Sequence, residues 1–195
     1  MTKLNINSKK GFTIIEVVLV LAIAGLIFLM VFVALPNLQR TQRDTQRRND
    51  LDRLSTSLSQ YIVNNNRLPD SGAAESAFLV DTGSLEDLAV MDKWQTFAYN
   101  YLLAGGQDTF VDPNGDAYIL EVVDGSANTN PDDLKNAFSS LTVDGVTNTG
   151  VMVVGANAKC GEEVEVVPFE AASGSRRYAV AMRLEGNGIY CVDNN

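Results

Sequence analysis

Residues Lys9–Leu35 read KKGFTIIEVVLVLAIAGLIFLMVFVAL. From Phe12 to Leu35 only Thr13, Glu16 and Gly25 interrupt the apolar residues. As a helix this run would be about 36 Å long, enough to cross a hydrocarbon core of about 30 Å. Glu16 is the misfit, because an ionised carboxylate within a membrane helix costs roughly 2.5–3.5 kcal/mol on insertion scales. The run is also too long for the core of a secretory signal, about 7–15 residues, and no small-x-small cleavage site closes it. A plain signal anchor, with Lys9 and Lys10 keeping the N-terminus in the cytoplasm, fits the length and the charge. It leaves Glu16 without a role.

Beyond the run the chain changes character. Its 195 residues leave room for one globular domain with an appendage, and everything after Pro36 is polar enough to be soluble. The net charge of −9 is unevenly placed. Residues 1–11 carry Lys3, Lys9 and Lys10 and no acid, and residues 37–67 carry six arginines against three aspartates. Residues 68–195 carry six basic and twenty acidic groups, which argues against general nucleic-acid affinity in that part. With no histidine in the chain, Ser–His–Asp catalysis and His-ligated zinc are excluded. Acidic pairs such as Asp132/Asp133 and Glu162/Glu163 stand beside no recognisable nucleophile or base, so the chain reads as a non-enzyme.

The stretch KKGFTIIEVVLVLAIAGLI resembles the N-terminus of type IV prepilins and their pseudopilin relatives. The resemblance rests on the basic pair, the Gly, the Phe-Thr, the Glu at its spacing and the long apolar run, and it covers about the first fifty residues. It implies a leader of residues 1–11, recognised through Lys9 and Lys10, and a prepilin peptidase that cuts between Gly11 and Phe12. Phe12 would then be N-methylated, and Glu16 would be the fifth residue of the mature chain. The new amine and Glu16 can compensate each other's burial, within one helix at i,i+4 spacing or between copies. The family's assembly model uses the contact between copies.

Residues 12–36 would form the membrane and filament-core helix, with Gly25 and Pro36 as its points of flexibility; Gly costs about 1 kcal/mol and an interior Pro about 3. Residues 37–66 read as its amphipathic second half. Leu51, Leu54, Leu58 and Tyr61/Ile62 form a stripe that should lie on a sheet. Asn37–Asp50 has almost no apolar face and suggests a spacer packed among other subunits, its arginines meeting acidic partners. The break at NNNRLPDSG (Asn64–Gly72) opens a β-rich head over residues 67–195. There, short helices are expected at Ser84–Met91 and Pro131–Phe138. Strands are expected at Thr96–Leu102, Ala117–Val123, Val151–Val154, Val164–Val167, Tyr178–Leu184 and Ile189–Val192. A hairpin turn is expected at Glu185–Gly188. The fold class is α+β, a long N-terminal helix packed on an antiparallel sheet, which resembles the pilin layout.

Two further features bear on the head. Cys160 and Cys191 read as one disulfide if the domain is exported, as in many pilins, or else as two unrelated buried thiols. In DPNGDAY (Asp112–Tyr118), Asp112, Asn114 and Asp116 imitate the start of a calcium loop, but Ala117 replaces the Gly and the twelfth-position Glu is missing. A β-turn with Pro at its second position is the favoured reading, and no cofactor is expected.

The resemblance implies a structural subunit, a major pilin above all, held as a single-pass precursor in the cytoplasmic membrane and then polymerised into a surface filament. Its partners would be copies of itself, the prepilin peptidase, membrane lipid, and a membrane platform driven by an assembly ATPase. Adhesion, twitching motility and DNA uptake would belong to the filament, with nucleic acid an unlikely ligand of this subunit alone. The alternatives are a pseudopilin of a secretion system, a minor pilin, or a signal-anchored binding module that does not polymerise.

Overall fold

The computed structural model describes residues 11–69, 75–81, 85, 92–124, 141–143, 146–148, 150–162, 169–185 and 188–194. The chain divides into two compact units, Met1–Thr41 and Gln42–Asn195. One helix, α1 (Ile14–Asn65), contributes to both.

In the first unit α1 carries the apolar run, and Gly25 and Pro36 lie within the helix. Every large apolar side chain from Phe12 to Leu35 is exposed, which leaves a surface that only lipid or other protein chains can cover. Among the described residues, α1 is the one helix long and apolar enough to cross a membrane.

In the second unit α1 buries Arg47, Leu51, Leu54, Ser57 and Leu58, with Tyr61 and Ile62 packed at the margin. These positions recur at three- and four-residue steps and so share one helical face, as the leucine stripe foretells. The helix ends where Asn66 adopts a left-handed conformation (φ 58°) and its N–H still reaches the Ile62 carbonyl at 2.7 Å. Asn tolerates this conformation better than most residues with a side chain.

The stripe lies on a five-stranded sheet of order β1-β2-β5-β8-β9. Its strands are β1 (Glu75–Leu79), β2 (Ile119–Asp124), β5 (Val151–Ala156), β8 (Tyr178–Arg183) and β9 (Ile189–Asp193). All joints are antiparallel except β2–β5, which is parallel with Ile119 opposite Val151. A parallel joint needs a long crossover. The chain between β2 and β5 provides it and includes a separate hairpin of β3 (Leu141–Val143) and β4 (Val146–Asn148).

Strand alternation sends Leu120, Val122, Met152, Val154, Val180 and Met182 towards α1. Ile119, Val123, Val151, Val153, Ala179 and Ala181 form a second core on the other face. That face is covered by a two-stranded ribbon of β6 (Ala158–Cys160) and β7 (Phe169–Ala171). The ribbon sits close: a Cβ on Gly155 would lie 2.9 Å from the Ala158 Cβ and 3.0 Å from Phe169 Cδ2. Gly155 is therefore required by packing.

One expected strand is helical. Thr96–Leu102 lies in α2 (Lys93–Phe97) and the π-helical turn that continues it over Ala98–Leu102. The alternation in TFAYNYL suggests a strand, but the decisive signal lies just upstream. Asp92 and Gln95 form a reciprocal capping box that starts a helix. Trp94, Phe97, Ala98 and Leu102 are then buried at helical spacing. Phe97 stacks on Tyr101 and meets Tyr61 of α1 edge-on. The expected strands near Ala117, Val151, Tyr178 and Ile189 all form, and the Leu184 N–H donates to the Gly188 carbonyl across the β8–β9 turn. The expected elements at Pro131–Phe138 and Val164–Val167, and all of Ser84–Met91 except Leu85, lie outside the described residues.

Candidate functional site

Gly11, Phe12 and Thr13 are not helical, and α1 begins at Ile14. The Gly11–Phe12 peptide therefore stands outside the helix, and the Phe12 side chain is 86% exposed. Among the described residues no atom lies within 4 Å of where a Gly11 Cβ would stand, so their packing does not itself demand glycine there. Lys9 and Lys10 lie outside the described residues.

Glu16 sits in the first turn of α1, where a negative charge complements the helix dipole. Its Oε2 accepts the Thr13 N–H at 3.4 Å and the Thr13 hydroxyl at 3.3 Å. The Thr13 carbonyl in turn accepts the Glu16 N–H at 3.1 Å. This is the carboxylate half of a capping box, with Thr13 at the cap and Glu16 three residues on. The sequence reading takes Thr13 only as a break in the apolar run and half of the Phe-Thr pair; the Thr-x-x-Glu spacing is the signal of its capping role.

The arginines of α1 find their partners inside their own head. Arg43 grips Glu185 with two parallel bonds, Nε to Oε1 at 2.6 Å and Nη2 to Oε2 at 2.7 Å. Arg47, only 4% exposed, donates from Nε to Asp112 Oδ2 at 2.7 Å and from Nη2 to Asp112 Oδ1 at 3.0 Å. Its third nitrogen, Nη1, reaches Glu185 Oε1 at 3.1 Å. The Glu185 N–H donates to Asp44 Oδ1 at 2.8 Å. Arg53 pairs with Asp108 and lies over the Phe110 ring. Arg48 lies over the Tyr190 ring. The polar stretch that a lone helix could not support is thus a docking surface for the chain's own loops, which corrects the reading of Arg43 and Arg47 as groups kept for other subunits.

The hydrogen bonds set the charges of this cluster. Arg43, and secondarily Arg47, hold the Glu185 carboxyl below the usual carboxylate range against its partial desolvation. Burial pushes the Asp50 carboxyl up, although it accepts the Tyr118 hydroxyl at 2.7 Å. The Tyr118 hydroxyl is itself pushed up by burial and by Asp50. Two more sheet tyrosines reach α1 in the same way. The Tyr178 hydroxyl bonds the Ser55 carbonyl and the Ser59 hydroxyl, and Tyr190 donates to Asp52.

DPNGDAY closes as a hairpin with a bulge. The Gly115 N–H donates to the Asp112 carbonyl at 2.7 Å and the Asp112 N–H to the Asp116 carbonyl at 2.8 Å. Gly115 takes φ 95°, and Val111 bridges Ala117 beyond it. This is the turn expected of Asp-Pro-Asn-Gly. Asp112 Oδ1 also accepts the Asn114 N–H at 3.0 Å, so both of its oxygens are engaged by donors of the chain. Among the described residues no three His, Cys, Asp or Glu side chains gather as a metal site.

Cys160 and Cys191 form a disulfide that joins the β6–β7 ribbon to the edge strand β9. The Cys160 N–H donates to Asp193 Oδ2 beside it.

Residues 6–32 match a family model described as the prokaryotic N-terminal methylation motif. No curated protein and no solved structure matches the chain. The matched span contains Gly11, Phe12 and Glu16 and enters the exposed apolar face of α1. The motif implies processing by a prepilin peptidase and fits a membrane-anchored precursor; the family that bears it is structural rather than enzymatic. The chain thus bears the prepilin signature of type IV pilins and pseudopilins, on a pilin-like α+β architecture.

Proposed function

We propose that the protein is a structural subunit of a type IV pilus, and within that filament the major pilin. The precursor is held in the cytoplasmic membrane by residues 12–36 and cut between Gly11 and Phe12. The new N-terminus is methylated, and the subunits polymerise through their apolar helices into a surface filament. Glu16 gives the polymer its register: its carboxylate receives the Phe12 amine of a neighbouring copy once both leave the lipid. A buried ion pair is tolerable only when both charges are paired and hydrogen-bonded, and Thr13 supplies further donors to the same carboxylate. Extraction from lipid calls for an energy-driven membrane platform with its ATPase. The observation that carries the reading is one carboxylate, at the start of a helical run whose large apolar side chains are all exposed, within the matched motif. The Cys160–Cys191 bond favours a pilin over a pseudopilin. Mass spectrometry of protein sheared from the cell surface tests it. A chain beginning at N-methyl-Phe12 is expected, whereas a start at Met1 or Thr2 contradicts it.

A further inference from the structure

The cluster around Arg47 has an arrangement that simple anchoring does not require. Two guanidinium groups from successive turns of α1 share the single carboxylate of Glu185, which stands on the β8–β9 turn. The second guanidinium is also committed to Asp112 on the hairpin that precedes β2. One side chain, Glu185, therefore ties the turn to both arginines, and its own backbone N–H is tied to Asp44. The leucine stripe of α1 begins only at Leu51. Residues 43–47 are thus held by charge and hydrogen bonds, and residues 51–58 by apolar packing.

We propose that Glu185 is the moving part of an acid-operated latch, which holds the 43–47 segment of α1 against the head at neutral pH and frees it when the carboxylate is protonated. The charged and titratable groups facing it are Arg43, Asp44 and Arg47 from α1. Asp112 lies across Arg47 from the hairpin, with Tyr118 and Asp50 beyond. Protonated Glu185 loses its attraction for both arginines, and Arg43 is then left with the weaker attraction of Asp44. Arg47 keeps Asp112, so release starts at Arg43 and the β8–β9 turn. Because the arginines depress the Glu185 carboxyl, the latch is closed above the ordinary glutamate range. It opens as pH falls through the depressed value, beneath the ordinary glutamate range.

Hydrogen–deuterium exchange of the full chain in detergent micelles tests this. Protection of residues 42–50 is compared with that of 54–62 in the same sample, so that the chemical pH dependence of exchange cancels. In the wild type, the 42–50 segment should lose about tenfold in relative protection between neutral pH and a pH well beneath the ordinary glutamate range. Glu185→Gln should show that loss already at neutral pH and change little on acidification. Arg43→Met, which leaves the Arg47–Glu185 and Arg47–Asp112 bonds, should move the wild-type transition to higher pH. An unchanged 42–50 to 54–62 ratio in acidified wild type, or a Glu185→Gln profile that superimposes on wild type, would overturn the latch. If Glu185→Gln does not fold, the direction of the Arg43→Met shift decides: no shift, or a shift to lower pH, rejects the proposal.

Discussion

At the scale of the residue, two charges are asked to live where water is scarce, and they are provided for differently. Glu16 stands on an apolar stretch of helix and, among the described residues, has only Thr13 to meet it. Its full compensation has to come from a cation, and the amine created at Phe12 is the cation the proposed processing supplies. Glu16→Ala should therefore insert and be cleaved normally yet yield no filaments. Mass spectrometry of the membrane fraction and counting of surface fibres check the two halves separately, and normal fibre yield would defeat the register argument. Arg47 is compensated within its own chain. Arg47→Met leaves Asp112 buried without its partner, and losing one member of a buried pair costs about 3–5 kcal/mol. Denaturant unfolding of the detergent-solubilised chain should show a loss of that size. The double variant Arg47→Met/Asp112→Asn should recover part of it, because the stranded charge is gone.

At the scale of the element, much was legible and the misses have physical causes. The apolar run, the leucine stripe from Leu51 to Leu58 and the Asp112–Gly115 turn follow from spacing and turn chemistry, and each forms as read. Thr96–Leu102 is helical where a strand is expected, because alternating aromatics imitate a strand while the Asp92–Gln95 capping box that overrides them is a two-residue signal. The short strands β6 and β7 were not anticipated, since three residues leave no period to detect. The arginine partners were invisible for a different reason. Asp112 and Glu185 are far from Arg47 in sequence, and only the closed sheet brings them to one place. The disulfide holds the small ribbon that those strands form. Closing a loop of about thirty residues is worth about 3–4 kcal/mol in the chain-entropy account. Alkylation without reductant should leave Cys160 and Cys191 unmodified, and reduction should lower the denaturation midpoint by a corresponding amount; labelling of both thiols in unreduced protein would contradict this.

At the scale of the whole molecule, the two units have opposite relations to their surroundings. The head satisfies itself: its sheet has a core on each face, and three of the α1 arginines are paired within it. Among the described residues, the first unit buries almost nothing and presents the exposed apolar run of α1. A chain with one self-sufficient part and one that needs cover from lipid or from its own copies is suited to exist first as a membrane protein and then as a polymer. The central claim is that Glu16 is matched by a neighbour's Phe12 amine, and near-atomic imaging of purified filaments tests it most directly. The account predicts the Glu16 carboxylate within hydrogen-bonding distance of the N-methylated amine of an adjacent subunit. A fibre in which Glu16 meets no cation from any subunit would contradict it.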